Sequence, residues 1–139
     1  TDILSVLATL RSEFRFVSLY VLGSQGIVVA TDDPQRAHPR RDAVDTLQQS
    51  PALADVRRVL ARPVESIAAE RLLDPAGVER FLVGAGPRPD AWISTDDNML
   101  LEYSTPKANV NDGDRSFKAN LQMLQGFRAA PAPAPGTPR

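Results

Sequence analysis

The sequence contains no cysteine, only one histidine and no long hydrophobic run. Without cysteine the chain has no disulfide, no thiol nucleophile and no zinc–thiolate site, and His38 alone leaves little scope for histidine ligation of a metal. No apolar run approaches the roughly 18 to 20 residues that a membrane-spanning helix requires. We therefore expect a soluble segment that makes no membrane contact itself. Its expected location is cytoplasmic, although the absence of cysteine does not itself identify the compartment.

The chain also lacks an excess of charge of either sign. Sixteen Lys and Arg against seventeen Asp and Glu give a formal net charge of -1. This balance argues against a nucleic-acid partner, because such proteins present a positive field to phosphates. A length of 139 residues with 42% hydrophobic residues suits one core. We expect a single α/β domain over residues 1–129 and a disordered, Pro- and Ala-rich tail over residues 130–139.

The first third of the sequence predicts a helix followed by a β-hairpin. Apolar residues recur every three or four positions over residues 2–14, which is typical of a helix with one buried face. Residues 14–22 are rich in aromatic and branched side chains, and residues 27–31 form a second apolar run of strand length. Gly23 and Gly26 lie between the two runs, where a turn between paired strands needs flexible residues.

The middle of the sequence predicts a series of short helices. Ser50 and Asp74 are good N-cap residues, and each precedes a proline, which is tolerated at the first helical position. We predict one helix after each of them, and two more over residues 41–49 and 64–73. The glycines of residues 84–86 predict the end of the helix that follows Asp74.

The last third predicts one more strand and one more helix. Residues 99–103 have the composition of a short strand that ends before Pro106. Asp114 is placed to cap a final helix, whose apolar stripe consists of Phe117, Leu121 and Leu124. The expected fold is α/β, with a β-hairpin and a short extra strand near Leu100, flanked by several short helices.

The densest polar cluster begins at residue 94. Asp96, Asp97 and Glu102 place three carboxylates within seven positions, which can bind a divalent cation through oxygen or a polycation such as an amine. Their spacing does not match a calcium-binding EF-hand loop. Ser, Thr, Asp and Asn also bond the nearby backbone in turns, and a structural role in a loop is their commoner use.

Residues 94–107 have the sequence Ser-Thr-Asp-Asp-Asn-Met-Leu-Leu-Glu-Tyr-Ser-Thr-Pro-Lys. This segment resembles the C-terminal signature of spermidine-synthase-like proteins, especially the large bacterial ones fused to membrane-transporter segments. That signature is approximately Asn-Thr-Asp-Asp-x-Pro-x-Leu-Glu-Tyr-x-x-Pro-Arg, from which this chain departs at Ser94, Met99 and Lys107. Residues 7–34 resemble the end of that family's catalytic domain, where a helix leads into the closing antiparallel hairpin of a Rossmann-like methyltransferase fold.

The resemblance implies that this chain is the C-terminal, non-catalytic part of a longer parent. Its start at Thr1, without Met and directly on an apolar-periodic segment, agrees with that expectation. The family's cofactor, decarboxylated S-adenosylmethionine, would bind upstream, so that no cofactor binds this chain and the chain alone is inert. It would complete the parent's sheet, while Asp96, Asp97 and Glu102 line the site of the cationic amine that receives the aminopropyl group.

The partners implied are the upstream catalytic domain and a cationic amine, and the resemblance allows a membrane anchor in the parent. In isolation the hairpin would expose an open edge, so we also expect a homodimer. The alternative function is an independent soluble module for protein interaction or ligand binding, without catalysis. A third interpretation, a metal-dependent enzyme that uses the acidic cluster, predicts that a divalent ion stabilises the chain.

Overall fold

The computed structural model describes residues 2–86, 89–101 and 113–128 of this mixed α/β fold. The helices and strands are α1 Asp2–Glu13, β1 Phe16–Leu22, β2 Gln25–Thr31, α2 Arg41–Gln48, α3 Leu53–Leu60, α4 Ser66–Ala69, β3 Arg71–Leu73, α5 Pro75–Gly84 and α6 Gly113–Gln125, with a 3₁₀ turn at Pro89–Trp92. The single-domain boundary at residue 129 and the tail over residues 130–139 fall outside the described residues, so both stay predictions.

The sheet has three antiparallel strands in the order β2-β1-β3. Leu22 pairs with Gln25, so the hairpin predicted from the sequence is confirmed and its turn is the dipeptide Gly23-Ser24. Gly23 has φ 61°, a left-handed conformation that glycine adopts without a steric penalty. Gly26 is not needed in the turn and lies inside β2.

One face of the sheet packs on α1, α5 and α6 and forms the core. Val17 and Leu19 of β1 are each 1% exposed on this face, and Leu7 of α1 is fully buried against them. The buried core cluster consists of Leu7, Val17, Leu19, Leu72, Leu73, Val78, Phe81 and Leu124. The other face of the hairpin carries Ile27 and Val29, which are 43% and 44% exposed.

The helix predicted over residues 64–73 is wrong for most of its length. The chain forms only the one-turn helix α4 there and then enters β3, which pairs with β1. The Val21 N–H donates to the Glu70 carbonyl at 3.0 Å, and Leu73 is fully buried. Burial beside β1 outweighs the local preference for helix, which is worth only tenths of a kcal/mol per residue (roughly 0 to 0.7).

The sheet has a third strand, but it is β3, and the strand predicted near Leu100 is wrong over residues 99–101. Leu100 and Leu101 are helical, and Met99 has φ 44°. The Asn98 side chain causes the difference, because its Oδ1 accepts the Leu100 N–H at 3.1 Å and turns the backbone. The rest of the predicted strand, residues 102–103, lies outside the described residues.

Of the three helix caps predicted from the sequence, only Asp74 lies immediately before its helix. Asp74 caps α5 through a 2.7 Å hydrogen bond from the Gly77 N–H. Ser50 does not cap α3, which begins three residues later, since its Oγ accepts the Ala52 N–H at 3.2 Å in a local turn. The final helix is confirmed, but it begins at Gly113, so Asp114 lies within it. In the described part of the chain, no helix is long and apolar enough to span a bilayer.

Candidate functional site

The acidic loop, residues 93–101, is organised by hydrogen bonds from its own polar side chains. Asn98 Oδ1 accepts the N–H groups of Thr95 at 3.0 Å and Leu100 at 3.1 Å, and Asn98 Nδ2 donates to the Ile93 carbonyl at 2.8 Å. Asn98 thus closes the loop on itself. The sequence left open whether this polar cluster binds a cation or only shapes a loop. For Asn98 the structural role in the loop is confirmed.

Two hydrogen bonds fasten this region to α1, and a third closes the loop on itself. The Ser94 N–H donates to Thr9 Oγ1 at 2.7 Å, and Ser5 Oγ donates to the Trp92 carbonyl at 2.6 Å. The Leu101 N–H in turn donates to Ser94 Oγ at 3.2 Å. The bonds to Thr9 and Ser5 join residues more than eighty positions apart, so the loop holds a defined place on the fold.

Asp96 and Asp97 are both exposed on this loop, while Glu102 lies outside the described residues. A cavity of about 390 Å³ lies beside the loop, lined by Thr9, Ser94, Thr95, Asp96, Met99 and Leu101. Asp96 therefore faces a space that a small cation can enter, whereas Asp97 does not line it. Among the described residues, no group of three or more His, Asp or Glu is placed to hold a metal ion.

A second concave surface, which we call the outer groove, lies on the face of the hairpin opposite the core. It has a volume of about 390 Å³. Its lining residues are Tyr20, Leu22, Ile27, Val29, Pro39, Arg40, Ala43, Val44, Leu47, Val64, Glu65, Ile67 and Ala68. Most of these side chains are apolar, so the groove is suited to bury apolar groups.

The charged residues of the outer groove are already paired. Arg40 Nε donates to Asp42 Oδ1 at 2.9 Å, and this bond raises the pKa of Arg40 and lowers that of Asp42. The pKa of Glu65 is lowered by its own backbone N–H and by Gln48 Nε2, which donates to its carboxylate at 2.8 Å. Both carboxylates therefore remain ionised near neutral pH.

The outer edge of β2 has no partner strand in the described part of the chain. The Val21 N–H donates toward β3, and Gly26 is the cross-strand partner of Val21. The backbone N–H and C=O groups of Gly26 therefore point away from β1. Those of Val28 and Ala30 do the same, because the hydrogen-bonding direction alternates from one residue to the next along a strand. These three residues present free N–H and C=O groups along the edge.

The outer groove was not predicted from the sequence. One signal was available, because Ile27, Val28 and Val29 are consecutive apolar residues and thus make both faces of β2 apolar. The other walls come from residues 39–47 and 64–68, and no local pattern shows that these segments meet over the hairpin.

Comparison of the chain with protein-family models, curated proteins and solved structures finds no match.

Proposed function

We propose that this chain is the cytoplasmic, non-catalytic C-terminal domain of a spermidine-synthase-like protein, and that it extends the parent's sheet through β2. The observation that carries the proposal is the free outer edge of β2. β1 is paired on both sides and β3 has three residues, which leaves β2 as the long strand that an upstream sheet can join. The order of α1, β1 and β2 agrees with the helix and closing hairpin that the resemblance implies for a Rossmann-like methyltransferase fold.

In this proposal the acidic loop supplies negative charge to the parent's amine site. Asp96 lines a cavity beside α1, and Asp97 is exposed next to it. Carboxylates bind ammonium groups by charge-assisted hydrogen bonds, so this pair suits a cationic polyamine, with Glu102 as the third proposed ligand. Decarboxylated S-adenosylmethionine would be held by the upstream domain, and this chain would contribute no group to aminopropyl transfer.

The decisive test is the mass of the native polypeptide in its source cells. An antibody raised against this domain should detect a band much larger than 15.1 kDa. A single band at 15.1 kDa would show that the chain works alone and would overturn the proposal.

The amine site has its own test, a titration of the chain with spermidine monitored by NMR. We expect chemical-shift changes at residues 94–101 that disappear in the double variant Asp96→Asn/Asp97→Asn. A matched control is Asp45→Asn, which removes one exposed carboxylate from α2 and should leave the titration unchanged. Shifts that persist in the double variant would exclude the acidic loop as the amine site.

A second candidate function is an independent binding module, and the outer groove favours it. Its volume of about 390 Å³ lies within the roughly 300 to 1,000 Å³ that is usual for small-molecule sites. A screen of small apolar compounds by NMR would test it, with Val44→Glu placing a charge in the groove as the disabling variant. Binding that survives Val44→Glu would place the ligand elsewhere.

A further inference from the structure

We propose that a second copy of this chain closes the free edge of β2, with the two β2 strands antiparallel about a two-fold axis at Val28. The inference concerns the 139-residue chain on its own. It uses the same free edge as the proposed function, and in the parent the upstream sheet would occupy that edge in place of the second copy. It specifies both the partner and the register of a homodimer.

The edge of β2 lacks the features that normally prevent pairing. Exposed edge strands of soluble proteins are usually short, or carry charges, prolines or bulges. β2 has the sequence Gln-Gly-Ile-Val-Val-Ala-Thr, without a charged residue or a proline, and it pairs with β1 through all seven residues without a bulge. Such an edge favours the addition of another strand.

The strand is complementary to itself when the axis passes through Val28. Val28 is the central residue of Gln25–Thr31, so this register alone pairs all seven residues of both strands. Gly26, Val28 and Ala30 are the residues whose backbone N–H and C=O groups point away from β1. In this register Val28 opposes Val28 of the second copy, and Gly26 opposes Ala30. These pairs each exchange two hydrogen bonds and satisfy all the free backbone groups of the three residues.

The side chains fit this register on both faces. On the outer face, Ile27 opposes Val29 of the second copy, and both are more than 40% exposed in the single chain. On the core face, the small residues Gly26 and Ala30 flank the central valines and leave room for them. Ile27 and Val29 also line the outer groove, so the second copy extends that groove across the axis.

Charge substitutions on the outer face test both the dimer and its register. In Ile27→Lys/Val29→Lys the proposed register places like charges opposite each other, and the chain should become monomeric. In Ile27→Lys/Val29→Glu the same register places opposite charges together, and the dimer should persist and weaken with added salt. Within one chain positions 27 and 29 face Tyr20 and Ser18, so neither variant creates a charge pair across the hairpin.

The measurement is sedimentation of the full 139-residue chain over a wide concentration range, with circular dichroism to establish that each variant is folded. The unmodified chain should sediment at about twice 15.1 kDa. The backbone amides of Val28, Gly26 and Ala30 should exchange slowly in the dimer and faster in the double-lysine variant. A folded monomer at millimolar concentration would overturn the inference, and equal dimerisation of the two variants would overturn the register.

The outcomes for this inference and for the proposed function are separable. If the isolated chain is dimeric and the native band lies at 15.1 kDa, the proposal of a longer parent is overturned and the dimer is supported. If the isolated chain is monomeric and the native band is much larger, the longer parent is supported and the dimer is overturned. If a double variant is too unstable for sedimentation, the single variant Val29→Lys replaces it. Val29→Lys places one lysine opposite each Ile27 and should weaken the dimer.

Discussion

Asp74 holds the first turn of α5, because its Oδ1 accepts a 2.7 Å hydrogen bond from the Gly77 N–H while Pro75 occupies the first helical position. Asp74→Ala should therefore lower the free energy of unfolding by about 1 kcal/mol, within a range of roughly 0.5 to 2 kcal/mol for such caps. Urea denaturation followed by circular dichroism measures the change.

The matched control is Ser50→Ala, since Ser50 also precedes a proline but does not cap α3. This variant should change the free energy of unfolding by less than about 0.5 kcal/mol. Equal losses in Asp74→Ala and Ser50→Ala would contradict the difference between the two helix starts.

Leu73 provides the test of β3 as part of the core. The side chain is fully buried in the core cluster, so Leu73→Ala should destabilise the fold by about 2 to 5 kcal/mol through lost burial and the cavity left behind. Val59, which is 79% exposed on α3, is the control, and Val59→Ala should cost less than about 0.5 kcal/mol. Similar effects at the two positions would show that Leu73 is not packed in the core.

The elements that were predictable from the sequence are those with a strong local pattern. Apolar periodicity located α1 and α6, and two apolar runs around Gly23 located the hairpin. β3 was not predictable, because Leu72 and Leu73 continue the apolar spacing of the segment before them and look like the end of a helix. Only the presence of β1 alongside makes the extended conformation favourable there.

The acidic loop and the outer groove also differ in how much of each could be predicted from the sequence. The carboxylates of the acidic loop were visible in the sequence, and the structure places Asp96 beside a cavity. The anchoring of that loop was not visible, since Thr9 and Ser94 are 85 positions apart. The outer groove likewise depends on α2 and α4 lying over the hairpin, which is a property of the tertiary fold.

Glu65 and Gln48 give a pH-dependent prediction. The pKa of Glu65 is lowered by its own backbone N–H and by the Gln48 amide, so these bonds add stability above the carboxyl's pKa in the unfolded chain. That stability should be lost as the pH falls through the lower folded value. Gln48→Ala should raise the Glu65 pKa part of the way back, as measured by NMR titration of the side-chain carboxyl, while the pKa of Asp42 stays lowered by Arg40. An unchanged Glu65 pKa would show that the bond to Gln48 does not persist in solution.

Asn98 and Asp97 are adjacent in the acidic loop but should respond differently to substitution. The Asn98 side chain bonds Ile93, Thr95 and Leu100, so Asn98→Ala should open the loop locally, at a cost of about 1 kcal/mol. Hydrogen exchange should then become faster at the Thr95 and Leu100 amides and remain unchanged in the sheet. Asp97→Asn keeps the size of the side chain and should leave both amides protected, because Asn98 supplies their acceptor. Faster exchange in Asp97→Asn to the same degree would mean that the carboxylate, rather than the Asn98 amide, maintains the loop.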